Sequence, residues 1–251
     1  MRHSLLVSAL AGALLMCGGS SAFAQAKSSP PDKGSFDATD CKACHETAVT
    51  KMEQTKHGGL AESCATCHDR DKSLAHSKDR ADGKETPGPS VKSLTANQIN
   101  TTCLECHEKS NQANWAGGKH ETRNVSCTNC HSIHAFKSVK AQLKTATDSE
   151  TCFTCHKTQR AMGQRTSHHP VREGKMSCSS CHNPHEGSRP KMLKAESTNE
   201  LCYTCHAEKR GPFLFEHAPV REDCASCHEP HGTNHKRLLT QKLPNLCWNC
   251  H

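Results

Sequence analysis

The chain has 251 residues, of which only 33% are hydrophobic and 4% are aromatic. An ordinary globular domain has about 45–50% apolar residues, so side-chain packing alone is excluded as the source of a full core. The formal charge of +7 does not indicate a nucleic-acid partner, because no basic patch is interleaved with aromatic residues. The chain instead contains 19 cysteines and 20 histidines, which are typical ligands of metals and cofactors.

The N-terminus has the pattern of a secretory signal. A basic start, an apolar stretch from Leu5 to Met16 and the small-residue pattern Ala22-Phe23-Ala24 predict a signal peptide over residues 1–24. A lipoprotein with Cys17 as the lipidated residue is the alternative. Residues 25–40 are polar and are predicted to form a flexible leader. Export brings the other 18 cysteines into an oxidising compartment, where they become disulfides, metal ligands or thioethers.

The spacing of these cysteines favours thioethers. All 18 fall in Cys-x-x-Cys-His pentapeptides, which occur nine times. Two cysteines three positions apart lie on one helical turn, where both sulfurs reach the vinyl groups of one haem and the next histidine binds iron. Zinc sites would need cysteine pairs matched two by two, and nine is odd, so zinc and disulfides are minor alternatives. The predicted cofactor is therefore haem c, in nine covalently attached copies.

The predicted cofactor-binding cysteines are Cys41, Cys44, Cys64, Cys67, Cys103, Cys106, Cys127, Cys130, Cys152, Cys155, Cys178, Cys181, Cys202, Cys205, Cys224, Cys227, Cys247 and Cys250. The predicted proximal iron ligands are His45, His68, His107, His131, His156, His182, His206, His228 and His251.

An internal repeat predicts the second axial ligands. Each unit of about 50 residues holds two attachment motifs and two further histidines. The units span about 41–100, 101–150, 151–200 and 201–246, followed by a partial unit, 247–251, in a multihaem domain over 41–251. Coordination by two histidines closes both axial positions, so it favours electron transfer over catalysis. The predicted distal ligands are His57, His76, His120, His134, His169, His185, His217 and His231.

Three of these distal histidines lie three residues after a proximal histidine. Such a residue is on the same side of its own haem and cannot easily reach the opposite face. We therefore expect His134, His185 and His231 to ligate neighbouring haems and to hold successive haems together.

The remaining elements follow in chain order. Residues 69–100 are rich in charge, Gly and Pro and are interpreted as a surface loop. Residues 108–115 and 140–150 are predicted to form short helices, and strand patterns are absent. The predicted fold class is a multihaem cytochrome c: an elongated, haem-cored body that is mostly irregular, with short α-helices and no sheet.

The segment from Leu201 to Gly232, with the motifs Cys-Tyr-Thr-Cys-His and Cys-Ala-Ser-Cys-His-Glu-Pro-His-Gly, resembles the periplasmic decahaem cytochromes of the MtrA/DmsE type, which include PioA and MtoA. The resemblance implies a wire of bis-histidine haems, partly inserted in an outer-membrane β-barrel porin. Electrons would pass between a periplasmic or inner-membrane cytochrome and an outer-surface multihaem cytochrome or reductase. The implied location is the periplasm, in association with the outer membrane. His168 and His235 do not match family positions, so a surface role is expected for each.

The sequence departs from this family at its end. The family has ten motifs, whereas this chain has nine and stops at His251. Three explanations of the ninth haem remain: a truncated record, an unusual partner such as His235, or a five-coordinate iron.

The expected function is that of an electron carrier and not an enzyme. A porin-embedded conduit for metal reduction or iron oxidation is the leading hypothesis. A soluble periplasmic shuttle to a terminal reductase is the main alternative. A multihaem reductase is less favoured, because Tyr203 is the only tyrosine and lies inside an attachment motif.

Overall fold

A computed structural model describes residues 39–60 and 64–251. The predicted signal and almost all of the predicted leader lie outside the described residues. Within these ranges the longer elements are three α-helices, α1 (Thr39–Glu53), α2 (Arg70–Ala81) and α3 (Ala96–Leu104). The other helices are short: α4 (Cys127–Cys130), α5 (Asp148–Phe153), α6 (Lys157–Met162), α7 (Cys178–Cys181), α8 (Thr198–Tyr203) and α9 (Ala218–Glu222). Isolated bridges replace sheets in this part of the chain, so the predicted fold class of short helices and irregular segments is confirmed.

Each attachment motif forms a single helical turn. In eight of the nine motifs the histidine N–H donates to the carbonyl of the first cysteine at 2.9–3.0 Å. In the first motif the turn lies inside α1, which kinks at His45, where φ is −113° and ψ is 33°. The turn brings both cysteines to one side and ends at the histidine, which is the local geometry that haem attachment requires.

The sequence prediction for 69–100 was wrong in part. Residues 70–81 form α2, and the preceding Asp69 caps its N-terminus, because the Asp69 carboxylate accepts the N–H of Lys72 at 2.9 Å. The charged residues that suggested a loop are the exposed residues of this helix. The predicted helices over 108–115 and 140–150 were also wrong: a 3₁₀ turn at Ser110–Gln112 and the first residues of α5 are the only helical residues there.

Buried polar residues join the two motifs of one repeat unit. Asn199 lies in α8, three residues before the seventh motif, and is 6% exposed. Its side chain donates to the carbonyls of Val220 and Arg221 at 3.0 and 3.1 Å and accepts the N–H of Cys224 at 2.7 Å. Asn100 repeats this arrangement two motif pairs earlier, where it accepts the N–H of Cys127 at 2.8 Å. These amides fix the eighth and fourth motifs against the helices before them.

Replacing Asn199 by alanine is expected to destabilise the protein. The change removes the hydrogen-bond partner of three backbone groups, those of Val220, Arg221 and Cys224, at a cost of about 1–3 kcal/mol. A domain of this size loses about 2–4 °C in thermal midpoint per kcal/mol, so far-UV circular dichroism should detect the loss. The exposed Asn245 is the matched control, and Asn245→Ala should leave the midpoint unchanged. Equal midpoints for the two variants would contradict this role for Asn199.

The apolar core formed by side chains is small. Only six hydrophobic residues in the described ranges are buried, namely Val49, Met52, Ala65, Ile99, Trp115 and Phe136. None of the large side chains in these ranges is fully buried, with an exposed fraction below 2%. Side chains in these ranges therefore form only a small core, as the low hydrophobic content predicted.

Candidate haem-binding sites

The histidine rings are arranged in pairs across the described part of the chain. Each pair joins one motif histidine to one of the further histidines, with ring centroids 5.8–6.4 Å apart. The eight pairs are His45 with His76, His68 with His134, His107 with His57, His131 with His185, His156 with His120, His182 with His231, His206 with His169, and His251 with His217. All eight of the predicted distal residues are therefore brought opposite a predicted proximal residue.

The separation of the rings fits a haem iron between them. With a metal–imidazole bond of about 2.0 Å on each side, two axial rings have their centroids roughly 6 Å apart. The observed spacing thus leaves room for one metal atom at the centre of each pair.

Three buried polar groups also fit a missing cofactor. The hydroxyl of Thr86, the indole nitrogen of Trp115 and the amide nitrogen of Gln142 have no hydrogen-bond partner. Each belongs to a residue in contact with a predicted distal histidine. Buried polar groups are normally satisfied, so these three are suited to acidic groups of a bound cofactor, and haem carries two propionates.

Hydrogen bonds at Nδ1 prepare most of these imidazoles for metal binding. In ten histidines Nδ1 lies 2.7–3.3 Å from a backbone or side-chain oxygen of another residue. The ten are His57, His68, His76, His120, His131, His134, His169, His182, His228 and His231. Eight of the acceptors are backbone carbonyls, which have no proton to give, so Nδ1 carries the proton and Nε2 keeps its lone pair.

Burial keeps several of these rings neutral. Loss of solvent lowers the pKa of His134 and of His182 below the ordinary value. The pKa of His185 falls to about 4, through burial and through the neighbouring imidazoles of His131 and His120. A ring that stays unprotonated at neutral pH is competent to bind a metal.

The pairs follow a crossing rule between repeat units. Numbering the haem sites one to nine by motif, sites three, five, seven and nine each face a histidine of the preceding unit. The motif histidines of sites two, four and six each face the further histidine that follows motif four, six or eight, respectively. That histidine lies three residues after the last residue of the motif. His134, His185 and His231 thus face a motif two positions back along the chain, so they bridge alternate sites where the sequence suggested successive ones.

The crossing rule changes the expectation for the end of the chain. His251 faces His217, with ring centroids 5.9 Å apart. The ninth site therefore has an imidazole partner, contrary to the sequence expectation that it lacks one or uses His235. The motif histidine without an imidazole opposite it in the described residues is His228, because even-numbered sites draw their second ligand from a following unit.

His168 differs from the paired histidines in its hydrogen bonds. Nδ1 lies 2.6 Å from the carbonyl oxygen of Arg165, and Nε2 lies 3.1 Å from Oε1 of Glu173. The contact with His168 helps to lower the pKa of Glu173 to about 2. With both ring nitrogens engaged, His168 has no free lone pair for iron, whereas the adjacent His169 faces His206.

The first cysteines of the two motifs in a unit are close together. A hydrogen bond to Cys127 raises the pKa of the Cys103 thiol, and one to Cys178 raises the pKa of Cys152. Burial and the neighbouring Cys224 raise the pKa of Cys202 to about 11. The first sulfurs of sites three and four, of sites five and six, and of sites seven and eight are therefore neighbours.

The second cysteines connect one unit to the next. Burial raises the pKa of Cys130, and the neighbouring Cys155 raises it further. Cys205 has the same effect on Cys181. Sites four and five, and sites six and seven, are therefore also neighbours, and the run from site three to site eight follows the order of the sequence.

The ring orientations predict two spectroscopic classes of haem. The planes of the pairs at sites two, four and six are 8–20° apart, whereas the other five pairs are tilted by 34–66°. Nearly parallel axial rings split the iron d orbitals more than crossed rings do. Electron paramagnetic resonance of the oxidised protein should show a rhombic low-spin class and a more anisotropic class. A single class would contradict these orientations.

Sequence reasoning missed the residues that support the ligands. Trp115 lies with its ring 6.2 Å from that of His185 and 6.5 Å from that of His120. The carbonyls of Pro184 and Pro230 accept Nδ1–H of His120 and His169, each at 2.9 Å. The recurrence of Pro-His at these two places was the only sequence signal, because every residue type carries a backbone carbonyl and the sequence does not indicate which one accepts the bond.

The fold and the paired ligands define a multihaem c-type cytochrome. A family model for the doubled CXXCH motif matches residues 168–211 and 217–251, and a model for NrfB-like cytochrome c-type proteins matches residues 64–147. The multiheme cytochrome MtrA of Shewanella baltica (strain OS185) is 37% identical over 239 residues, covering 91% of this chain and 69% of that protein. The chain belongs to the MtrA family of multihaem cytochromes, and its function is electron transfer through haem c.

A second relative matches a shorter part of the chain. The acrylate reductase cytochrome subunit of Shewanella woodyi (strain ATCC 51908 / MS32) is 29% identical over 94 residues, which is 38% of this chain and 64% of that protein. The helices in the described ranges include none with the length and apolar character needed to cross a membrane.

Proposed function

We propose that the chain is a periplasmic electron wire of nine haems, ordered by motif along the sequence. The paired imidazoles, with centroids about 6 Å apart, are the observation that carries the proposal. Both axial positions are closed at eight sites, so these irons exchange electrons without binding a substrate. The neighbouring sulfurs from site three to site eight support close contact between successive haems.

The chain's own residues provide attachment, orientation and polarity. The motif cysteines hold each haem, and the carbonyls at Nδ1 fix the ring tautomers. Haem supplies the one-electron chemistry when it is bound. The protein sets the spacing between sites and the orientations of the rings.

The haem count is tested by mass spectrometry of the purified native protein. We expect the mass of the processed chain plus nine haems. A smaller haem number, or cystine bridges at the motif cysteines, would reject the nine-haem wire. Processing after Ala24 tests the predicted signal in the same measurement, and lipidated Cys17 is the alternative result.

We further propose that the wire is the periplasmic part of an outer-membrane conduit for extracellular electron transfer. The support is the membership of the MtrA family, whose resemblance implies a β-barrel porin and an outer-surface cytochrome as partners. Affinity purification of the tagged holoprotein from outer membranes should recover a large β-barrel protein in constant ratio. Metal reduction and iron oxidation use the same wire, so transfer should then be measured in both directions across reconstituted vesicles.

A soluble shuttle to a terminal reductase is the second candidate. It is favoured by the similarity to an acrylate reductase cytochrome subunit. In that case the protein is recovered from the soluble periplasm without a barrel, and it reoxidises in the presence of a purified periplasmic reductase. Recovery of the barrel together with transfer across the vesicle membrane would reject the shuttle.

A further inference from the structure

The sixth site has an axial ligand with a distinctive second contact. His231 faces His182 with ring centroids 6.2 Å apart and planes only 8° apart. Its Nδ1 lies 2.8 Å from Oε1 of Glu229, and the same oxygen accepts the backbone N–H of His231 at 3.2 Å. The carboxylate therefore holds both the backbone and the ring of this residue.

Equivalent positions in the other units lack this contact. The residue directly after the motif histidine is Ser132 in the second unit, Asn183 in the third and Glu229 in the fourth. Asn183 accepts the backbone N–H of His185 at 3.2 Å, as Glu229 does for His231, but makes no bond to the ring. In the second unit, the ring of His134 is bonded to a backbone carbonyl.

The Nδ1 contacts of the other paired imidazoles in residues 39–60 and 64–251 are to backbone carbonyls, or to the side-chain oxygen of Gln142 in the case of His57. The nearest comparable group is Glu208, whose Oε1 lies 3.8 Å from Nδ1 of His206, too far for a hydrogen bond. Glu229 has no lysine or arginine partner among the ion pairs of this part of the chain. Its ion-pair partner in this part of the chain is His231.

A carboxylate at Nδ1 makes the imidazole a stronger electron donor through Nε2. The charge-assisted hydrogen bond draws the Nδ1 proton toward oxygen and increases the negative character of the ring. A more basic axial ligand stabilises ferric iron relative to ferrous iron, which lowers the reduction potential. The exposed fractions of Glu229 and His231, 33% and 40%, allow partial screening but leave the direct bond intact.

We propose that Glu229 is a positioning residue that lowers the reduction potential of the sixth haem through His231. The inference rests on the proposed haem wire, because it assigns His182 and His231 as axial ligands. Electron exchange between neighbouring irons forms and breaks no bond. A low-potential site inside the run introduces an uphill step and so limits the rate of transfer in both directions.

The test is a redox titration of the purified holoprotein, followed by visible absorption and electron paramagnetic resonance. Glu229→Gln keeps the size and an accepting oxygen but removes the charge. We expect the reduction potential of one haem to become more positive by about 59 mV. This shift corresponds to a tenfold change in the equilibrium constant of its one-electron reduction. The other potentials and the number of low-spin haems should not change.

The third unit provides the matched gain of function. Asn183→Glu places a carboxylate at the equivalent position before His185, and one haem should shift to a more negative potential. In a His231→Ala background, Glu229→Gln should lose its site-specific shift, because the bond that transmits the effect is absent. Unchanged potentials in Glu229→Gln, or an equal small shift of all haems, would overturn the proposal.

These outcomes are separable from failure of the proposed function. A protein without nine haems, or with high-spin iron at most sites before mutation, would reject the wire itself. A normal wire whose potentials ignore Glu229 would reject only the role of this residue. The titration needs no porin or reductase, so the identity of the partner does not affect its result.

Discussion

A chain expressed without haem attachment is expected to show no cooperative unfolding transition. The six buried hydrophobic residues of the described ranges are too few to offset the conformational entropy of more than two hundred residues. A normal domain is stable by about 5–15 kcal/mol, and the haem-free chain should lose all of it. Differential scanning calorimetry and far-UV circular dichroism of protein made in a strain without cytochrome c maturation would measure this.

Loss of one terminal haem is the control for that experiment. The double substitution Cys247→Ala, Cys250→Ala removes attachment only at the ninth site, so the other eight haems should keep the protein folded. A haem-free chain that unfolds cooperatively, with native circular dichroism, would show that side chains alone form a sufficient core. Collapse of the ninth-site variant would show that the sites do not stabilise the fold locally.

Replacing His169 by alanine is expected to open one iron, whereas replacing its neighbour His168 is not. His169 faces His206 at 6.4 Å between centroids, and its Nδ1 is bonded to the carbonyl of Pro230. Without its imidazole, the seventh haem becomes five-coordinate, so roughly one ninth of the iron should turn high-spin. Electron paramagnetic resonance should show one more high-spin haem than in the unsubstituted protein, and carbon monoxide should bind one more site of the reduced variant.

His168→Ala is the internal comparison, because the two residues are adjacent in sequence. Both nitrogens of His168 are bonded, to Arg165 and Glu173, so its loss should leave the number of low-spin haems the same as in the unsubstituted protein. Carbon monoxide binding by His168→Ala but not by His169→Ala would reverse the ligand assignment at this site. Electron transfer along the wire should slow only in the variant with the open iron.

The cysteine and histidine ligands could be predicted from the sequence better than the helices could. The Cys-x-x-Cys-His turn depends on residues within five positions, and the repeat placed each further histidine at a recognisable distance from a motif. The helix α2 was missed because its residues are nearly all charged or small and none is buried, so no apolar periodicity indicated it. The support residues Trp115 and Asn199 were missed because their partners lie in other repeat units or other helices.

The sequence by itself determined that nine cysteine pairs are each followed by a histidine, and that too few apolar residues remain for a side-chain core. These are local or compositional properties, which need no knowledge of distant contacts. The tertiary structure alone decided which histidine faces which motif, because most paired rings come from different units of the repeat. It therefore placed His217 opposite His251, left His228 without a facing imidazole among the described residues, and set Glu229 against the ligand of a single site.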